Sequence, residues 1–449
     1  MATQSIEISG LIDQRKVGGY QWFIIVVCAF VVFLDGFDAQ AIGYVAPSLI
    51  KEWGLQPSEL GPVFSIGLVG LMLGALFIAP LADRVGRRPL IAISTLAFGV
   101  FTLATAFATN IDQLLVLRFL TGVGLGGCMP NGIALTSEFS PARSRAFLVM
   151  VMFNGFTLGS AAGGVIAAEL IPTLGWQSVF IAGGVLPLVL TPIIWFLLPE
   201  SLRFQVMNKA PRERVARTVR RLAPDMAMTA ETEFVVEETH AKRMSVRALL
   251  ADGRARRTIL LWIVFFMSLL DIYLLVSWLP TTMDQAGASP QTAIYLGITL
   301  QLGAFLGSPG LGWVLDRWGP RGSMFPAYAI AAVCIALIGI FATQSIPLTF
   351  LVVFLAGFGV IGGQTAANAV AAISYPTEIR STGVGWCLGV GRIGSIVGPA
   401  LAGVLLSMNV STRDIFLLSA IPAAIGALAA LGLGGRSERP ASEAVSLAH

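Results

Sequence analysis

Five charged side chains lie well inside runs of apolar residues, away from their ends. Asp35 and Asp38 fall in 22–44, Arg118 in 112–135, Asp271 in 258–281 and Arg392 in 381–408. Charge at such depth is costly, and where it persists it usually marks an ion or proton path. Asp35 and Asp38 are three residues apart and share a helix face. Two carboxylates so close do not both ionise easily in a low-dielectric site. One proton held between them, or exchanged against Arg118, would couple proton movement to a second event. Gly36 between them would let the helix loosen. Asp38 and Arg118 each stand about six residues from the outer end of their runs, roughly 9 Å in depth, so they can pair. Arg392 has no acid in its own run. A buried arginine needs a carboxylate, supplied by Asp271 or by an anionic substrate. For each group the plainer alternative is mutual pairing that only holds helices together. Histidine cannot serve a relay in the spans, because His240 lies in a polar stretch and His449 is the last residue. Tyr44 or Tyr273 can assist the carboxylates.

The elements that must position these groups are helices in a membrane. Of 449 residues, 55% are hydrophobic and 12% charged, with a mean hydropathy of +0.80. Soluble domains carry about 25% charged residues. Twelve runs are long enough to cross ~30 Å of hydrocarbon: 22–44, 60–82, 90–109, 112–135, 146–169, 177–198, 258–281, 291–315, 323–343, 347–372, 381–408 and 413–435. They are continuous, not short and alternating as in a barrel. Residues 1–20 carry Glu7, Asp13, Arg15 and Lys16 without a cleavage pattern, so the first span is expected to be retained. The four cysteines are scattered through apolar runs without metal-ligand spacing and read as buried thiols. Neither metal nor cofactor is expected, nor the residue clusters of a membrane-embedded enzyme.

The basic residues set the orientation. With both termini inside, only Lys51 and Arg413 fall outside, while Arg118 and Arg392 lie within spans. The expected organisation is a cytoplasmic segment 1–19, a six-helix bundle 20–198, a cytoplasmic linker 199–257, a second bundle 258–435 and a tail 436–449. The linker holds 13 basic residues and should form short amphipathic helices, for example 211–222. Its basic run Arg212–Arg221 is read as facing anionic lipid, not nucleic acid.

The two bundles are copies of each other. Residues 38–88 and 271–321 match without a gap at an offset of 233. Asp38, Pro47, Gly54, Pro57, Gly70, Gly74, Asp83, Arg84, Gly86 and Arg88 recur as Asp271, Pro280, Gly287, Pro290, Gly303, Gly307, Asp316, Arg317, Gly319 and Arg321. Such spacing is too long for a solenoid and fits the paired halves of a secondary transporter. The fold class is therefore all-α and integral to the membrane, with twelve helices in two pseudo-symmetric bundles. Gly70/Gly74 and Gly303/Gly307 mark close helix approach. Stripes at Gly155, Gly159, Gly163 and Gly164, and at Gly385, Gly389, Gly391, Gly394 and Gly398, suggest a sliding interface between the halves. Asp83 beside Arg84, Arg87 and Arg88, with Asp316 and Arg317 as second copy, can bridge helix ends. Glu138 with Arg143, and Glu378 with Arg380, follow spans four and ten. These charges read as an inner gate. Phe37, Tyr44, Phe64 and Trp278 are candidates for stacking on a substrate.

APLADRVGRRP (79–89), its weaker copy after span eight and RFLTGVGLGG in span four resemble the major facilitator superfamily. LDGFDAQAIGYVAPSL in span one, LLPESLRF (197–204) and SWLPT (277–281) resemble its aromatic acid/proton symporter family. The resemblance implies proton-driven uptake of a benzoate- or hydroxybenzoate-like carboxylate across a bacterial inner membrane, by alternating access. It gives Asp35 and Asp38 as the acidic pair, Asp83 as the loop acid, Arg118 as the span-four arginine, Glu138 as the acid of an SExxP-type loop, and Arg380 and Arg392 as the later basic residues. Arg321 and Gly322 stand where some 4-hydroxybenzoate carriers have histidine. The substrate contacts expected are Arg118, Asp271, Arg392, Phe37, Tyr44 and Trp278. A monomer in the bilayer is expected, with protons and a small aromatic acid as partners. A sugar or organic-acid carrier, or a drug exporter on the same fold, is the alternative.

Overall fold

The computed structural model describes residues 5–226, 232–236, 246–251 and 253–434, without the side chains of 5, 146, 377, 378 and 381. The tail 436–449, His240 and the Glu378 side chain lie outside that description. The chain divides into two compact units, Met1–Leu49 with Ile66–His240, and Ile50–Ser65 with Ala241–His449.

The first unit opens with strand β1 (Ser5–Glu7) and helix α1 (Ile8–Asp13), followed by the long helix α2 (Gly19–Trp53), whose last residues belong to the second unit. Helix α3 (Leu60–Leu73) continues through a wide turn at Gly74–Ile78 and a tight one at Ala79–Leu81 into α4 (Ala82–Val85). Then come α5 (Arg87–Thr105), α6 (Ile111–Glu138), α7 (Arg145–Leu174) and α8 (Gln177–Leu197). The linker forms α9 (Leu202–Met207), α10 (Arg212–Leu222) and strand β2 (Glu233–Val235). Helix α10 buries Val215, Ala216 and Val219 on one face, as its amphipathic spacing requires. Strands β1 and β2 pair in parallel, Ile6 opposite Phe234. Runs of three residues were too short to read from the sequence.

The second unit holds α11 (Arg247–Leu250), α12 (Ala255–Gln285), α13 (Pro290–Phe341), α14 (Ile346–Ser374), α15 (Thr377–Ser407) and α16 (Thr412–Leu431). Eleven helices among the described residues are long and apolar enough to span a bilayer. One of them, α13, has 52 residues. At 1.5 Å per residue that is ~80 Å, more than twice a hydrocarbon core. It divides at Gly319, where φ is 73°. Expected spans eight and nine are therefore its two arms. Gly86, the repeat mate of Gly319, has φ 101° and breaks the chain between α4 and α5. Only glycine adopts such angles without strain.

The glycines pack helices within each unit. Gly159 lies against the Phe33 carbonyl and Gly155 against Ala29, while Gly36 of α2 meets the Phe156 carbonyl of α7. In the second unit Gly394 lies on Phe266 and Gly398 on Leu270. Phe33 and Phe266 are 233 residues apart, so the contact itself is repeated. Gly155 and Gly159 thus seat α7 on α2, and Gly394 and Gly398 seat α15 on α12. Helix α2 runs unbroken through Gly36. Gly70 and Gly74 meet Phe119 and Val123 of α6, and Gly303 and Gly307 meet Phe354 and Phe358 of α14. With lipid on the outside, close backbone approach supplies the dispersion contacts that hold such helices together.

Candidate functional site

In the first unit α2 presents Asp35 and Asp38, both buried. Arg118 of α6 directs Nη1 to Asp38 Oδ1 at 2.9 Å, and Thr102 Oγ1 of α5 donates to the same oxygen at 3.2 Å. Side-chain exposure is 7% for Arg118 and 1% for Asp38. Three helices thus converge on one carboxylate. Gly67 of α3 lies beside the Arg118 side chain, at ordinary contact distance. Asp38 Oδ2 and Arg118 Nε have no hydrogen-bond partner. Ser160 Oγ of α7 donates to the Gly36 carbonyl at 2.9 Å, and Tyr44 Oη reaches the Ser160 carbonyl at 3.4 Å. Tyr44 therefore ties α2 to α7. Phe37 packs on Gly163 and Gly183 in the interior of the unit.

In the second unit the expected pairing of Asp271 with Arg392 is absent. Arg392 Nη1 donates instead to Tyr273 Oη at 3.4 Å. Asp271 is 1% exposed, and neither carboxylate oxygen has a hydrogen-bond partner. Depth along a helix is readable from sequence, but rotation about its axis is not. Trp278 is buried, donates Nε1 to the Pro399 carbonyl at 2.9 Å and meets the Phe64 ring edge-on at 4.9 Å.

The inner charge cluster of the first unit centres on Arg87. Its Nη2 lies 3.2 Å from Asp83 and 3.4 Å from Glu138. Arg84 is exposed. Arg88 lies over the Trp195 ring at 5.9 Å, and Arg143 donates to the Arg15 carbonyl at 2.6 Å. Glu200, whose role sequence reasoning missed, accepts backbone N–H groups from Arg87 at 2.9 Å, Arg88 at 3.4 Å and Ser201 at 2.8 Å. It caps α5 from outside. Burial pushes the Glu200 carboxyl up, against those three donors and the charge of Arg88. The only sequence signal was an acid just after span six.

The second copy does not repeat this network. The mate of Arg87 is Pro320, which has no donor to offer. Asp316 is exposed, and Arg317 lies over Trp313 at 5.6 Å. Arg380 donates to the Tyr375 carbonyl at 3.4 Å. Among the described residues neither Asp316 nor Arg317 makes an ion pair, so the expectation that both loops bridge alike is corrected.

Among the described residues no cluster of His, Cys, Asp and Glu could hold a metal ion. The sequence profile of the Major Facilitator Superfamily matches residues 28–253 and 261–448. The chain is 42% identical to the gallate transporter of Pseudomonas putida over 430 residues, 96% of this chain and 95% of that one. It is 41% identical to the 4-hydroxybenzoate transporter PcaK of the same organism over 432 residues, 96% of each chain. The inward-open xylose transporter XylE of E. coli superposes with a TM-score of 0.73 at 16% identity, covering 95% of this chain and 99% of that one. Two relatives above 40% identity, matched nearly end to end, and a profile over both bundles settle the family: this chain is a multi-pass membrane transporter of the Major Facilitator Superfamily and belongs to its aromatic-acid carriers.

Proposed function

We propose that the chain imports a benzoate- or hydroxybenzoate-like carboxylate together with protons by alternating access. The observation that carries this reading is the buried Arg118–Asp38 ion pair, 2.9 Å long and supported by Thr102. A proton arriving at Asp38 cancels the charge that holds Arg118. The freed guanidinium then attracts the carboxylate of a substrate, so proton and anion enter together. Asp35, one turn away on the same helix, is the natural relay to Asp38. Arg392 is a second anchor for the carboxylate, since Tyr273 satisfies it only through a neutral phenol. Relatives named for gallate and 4-hydroxybenzoate support a hydroxylated ring.

In this reading the Asp83–Arg87–Glu138 cluster stiffens the inner side of the first bundle, with Arg84, Arg88, Arg143, Asp316, Arg317, Glu378 and Arg380 as peripheral members. Both termini face the cytoplasm, and a monomer is the working unit in the inner membrane. The test is uptake of labelled 4-hydroxybenzoate, gallate, benzoate and xylose by proteoliposomes under an imposed proton gradient. Uptake of one or more aromatic acids, abolished by a protonophore and by Asp38→Asn, is expected. Accumulation of xylose alone, or of aromatic acids unaffected by either treatment, would overturn the reading.

A further inference from the structure

Asp271 occupies the same place in α12 that Asp38 occupies in α2, yet it has no cation. Asp38 is met by Arg118 and Thr102. Asp271, equally buried, has no donor to either oxygen. The neighbouring helices carry few groups that could change this. Helix α14 contains no titratable residue at all, and α16 has only Arg413 and Asp414, both at its first turn. On α15 the charged groups are Glu378 and Arg380 near its start and Arg392, which is held by Tyr273, with Cys387 between them. Helix α13 contributes Tyr328, with Cys334 two turns further on. Tyr328 is buried and its hydroxyl is unpartnered. That hydroxyl lies beside Ser268 and within electrostatic reach of Asp271. Ser268 is one turn before Asp271 on the same face of α12, and its hydroxyl closes no hydrogen bond either.

An ionised carboxylate with no donor and no cation would cost several kcal/mol in such a place. A carboxylic acid would not. Ser268, Asp271 and Tyr328 are then three hydroxyl-bearing groups in one buried site, each able to donate and to accept a hydrogen bond. Tyr328 is confined there by Gly363 and Gly426, whose added Cβ atoms would touch its ring.

We propose that Asp271 is a second proton carrier, protonated in the conformation seen here, with Ser268 and Tyr328 as its exchange partners. Two protons then accompany each aromatic carboxylate, one through Asp35 and Asp38 and one through Asp271. When the pocket opens, the O–H bond of Asp271 breaks and its proton passes to water. The carboxylate left behind is solvated by the water that took the proton, until a proton returns. This inference rests on the proton-coupled reading above and assigns Asp271 to the proton, not to the substrate.

The experiment is the accumulation ratio of labelled 4-hydroxybenzoate, or of whichever aromatic acid the uptake panel selects, in proteoliposomes at zero membrane potential with a one-unit pH gradient. Each coupled proton multiplies the limit by ten, so two protons give about 100-fold and one gives about 10-fold. Wild type is expected near the higher value and Asp271→Asn near the lower, with substrate affinity changed less than about threefold. The amide matches the protonated acid in shape and charge, so the variant should fold. Tyr328→Phe is the second variant and is expected to slow uptake without changing the ratio. Equal ratios for wild type and Asp271→Asn overturn the proposal, and so does loss of substrate binding in Asp271→Asn. Should Asp271→Asn fail to fold, unchanged rates in Tyr328→Phe would count against it. Wild-type accumulation that ignores the gradient would instead sink the proton-coupled reading itself.

Discussion

Replacing Asp38 by Asn tests the central ion pair, and its cost can be worked from the geometry. At 2.9 Å, with 1% and 7% of the two side chains exposed, Asp38 and Arg118 form a desolvated pair. At an effective dielectric of 20, unit charges about 4 Å apart attract by about 4 kcal/mol. Removing one partner of a buried pair costs about 3–5 kcal/mol, because the other charge is left behind. Asp38→Asn is the sharper of the two single changes. A carboxylate stranded by loss of Arg118 can take up a proton, whereas arginine cannot shed one. Arg118→Gln should therefore be milder. The double variant Asp38→Asn/Arg118→Gln leaves two amides able to hydrogen-bond each other and should recover most of the loss. A double-mutant cycle should give a coupling energy of at least about 2 kcal/mol. Thermal and denaturant unfolding of the purified protein in detergent, followed by tryptophan fluorescence, measures it. All three variants should fail to accumulate substrate uphill. A coupling below about 0.5 kcal/mol, the size found for exposed pairs, would refute the claim that this pair is desolvated and that its rupture is the costly step.

Glu200→Ala removes the acceptor of the Arg87 and Arg88 N–H groups at the start of α5, and of the Ser201 N–H, and should cost about 1–2 kcal/mol, as loss of a helix cap does. Glu200→Gln keeps an acceptor and should cost less. Because burial raises the carboxyl above its unfolded value, the unfolded chain ionises first as pH rises. Wild-type stability should fall across that window, and Glu200→Gln should lack this component in a pH series of unfolding curves. Lys51 Nζ lies 3.0 Å from Asp284, its own repeat mate, both in the second unit. With Lys51 60% exposed the pair should be worth less than about 1 kcal/mol, so Lys51→Glu should barely alter stability while slowing transport. Restoration of rate in Lys51→Asp/Asp284→Lys checks that the charge pair is responsible. Gly159→Leu should force α7 off the Phe33 carbonyl and cost more than about 2 kcal/mol by overpacking, read as loss of folded protein on size-exclusion.

What the sequence made legible was mostly one-dimensional. Asp38 and Arg118 could be paired because helix rise fixes depth, and depth alone brings them level. The same argument put Arg392 level with Asp271 and was not enough, since Arg392 points to Tyr273. The glycine stripes were visible as stripes, but a stripe does not name its partner. Gly159 on Phe33 and Gly394 on Phe266 place that partner in the same unit. Most span boundaries were legible to within a turn or so, the exception being α2, which runs nine residues past the expected end at 44, and Gly319 accounts for two expected spans appearing as one long helix. Glu200 was hidden for a different reason. Its partners are main-chain N–H groups, which every residue carries, so no side-chain spacing announces them.

The repeat separates two kinds of constraint. Gly54 and Gly287 both adopt positive φ, 65° and 92°, and nothing crowds the space where a Cβ would stand. They recur because a backbone turn requires them. Gly86 and Gly319 recur for the same reason at the other end of the motif, and Gly70 and Gly303 because a neighbouring helix lies against them. Such positions cannot diverge without altering the fold of a bundle. The charges have diverged at the same alignment. Arg87 faces Asp83 and Glu138, while its mate is Pro320. Lys51 became Asp284, and the two now attract. Asp38 gained Arg118, whereas Asp271 has no cation. Backbone sterics act alike on both copies and preserve symmetry. Electrostatics does not require it, because one paired carboxylate and one unpaired carboxylate can answer the same change of conformation differently. A carrier that must move a charged substrate and protons together gains from that difference: the paired acid releases an arginine when protonated, and the unpaired acid holds a proton until its pocket opens.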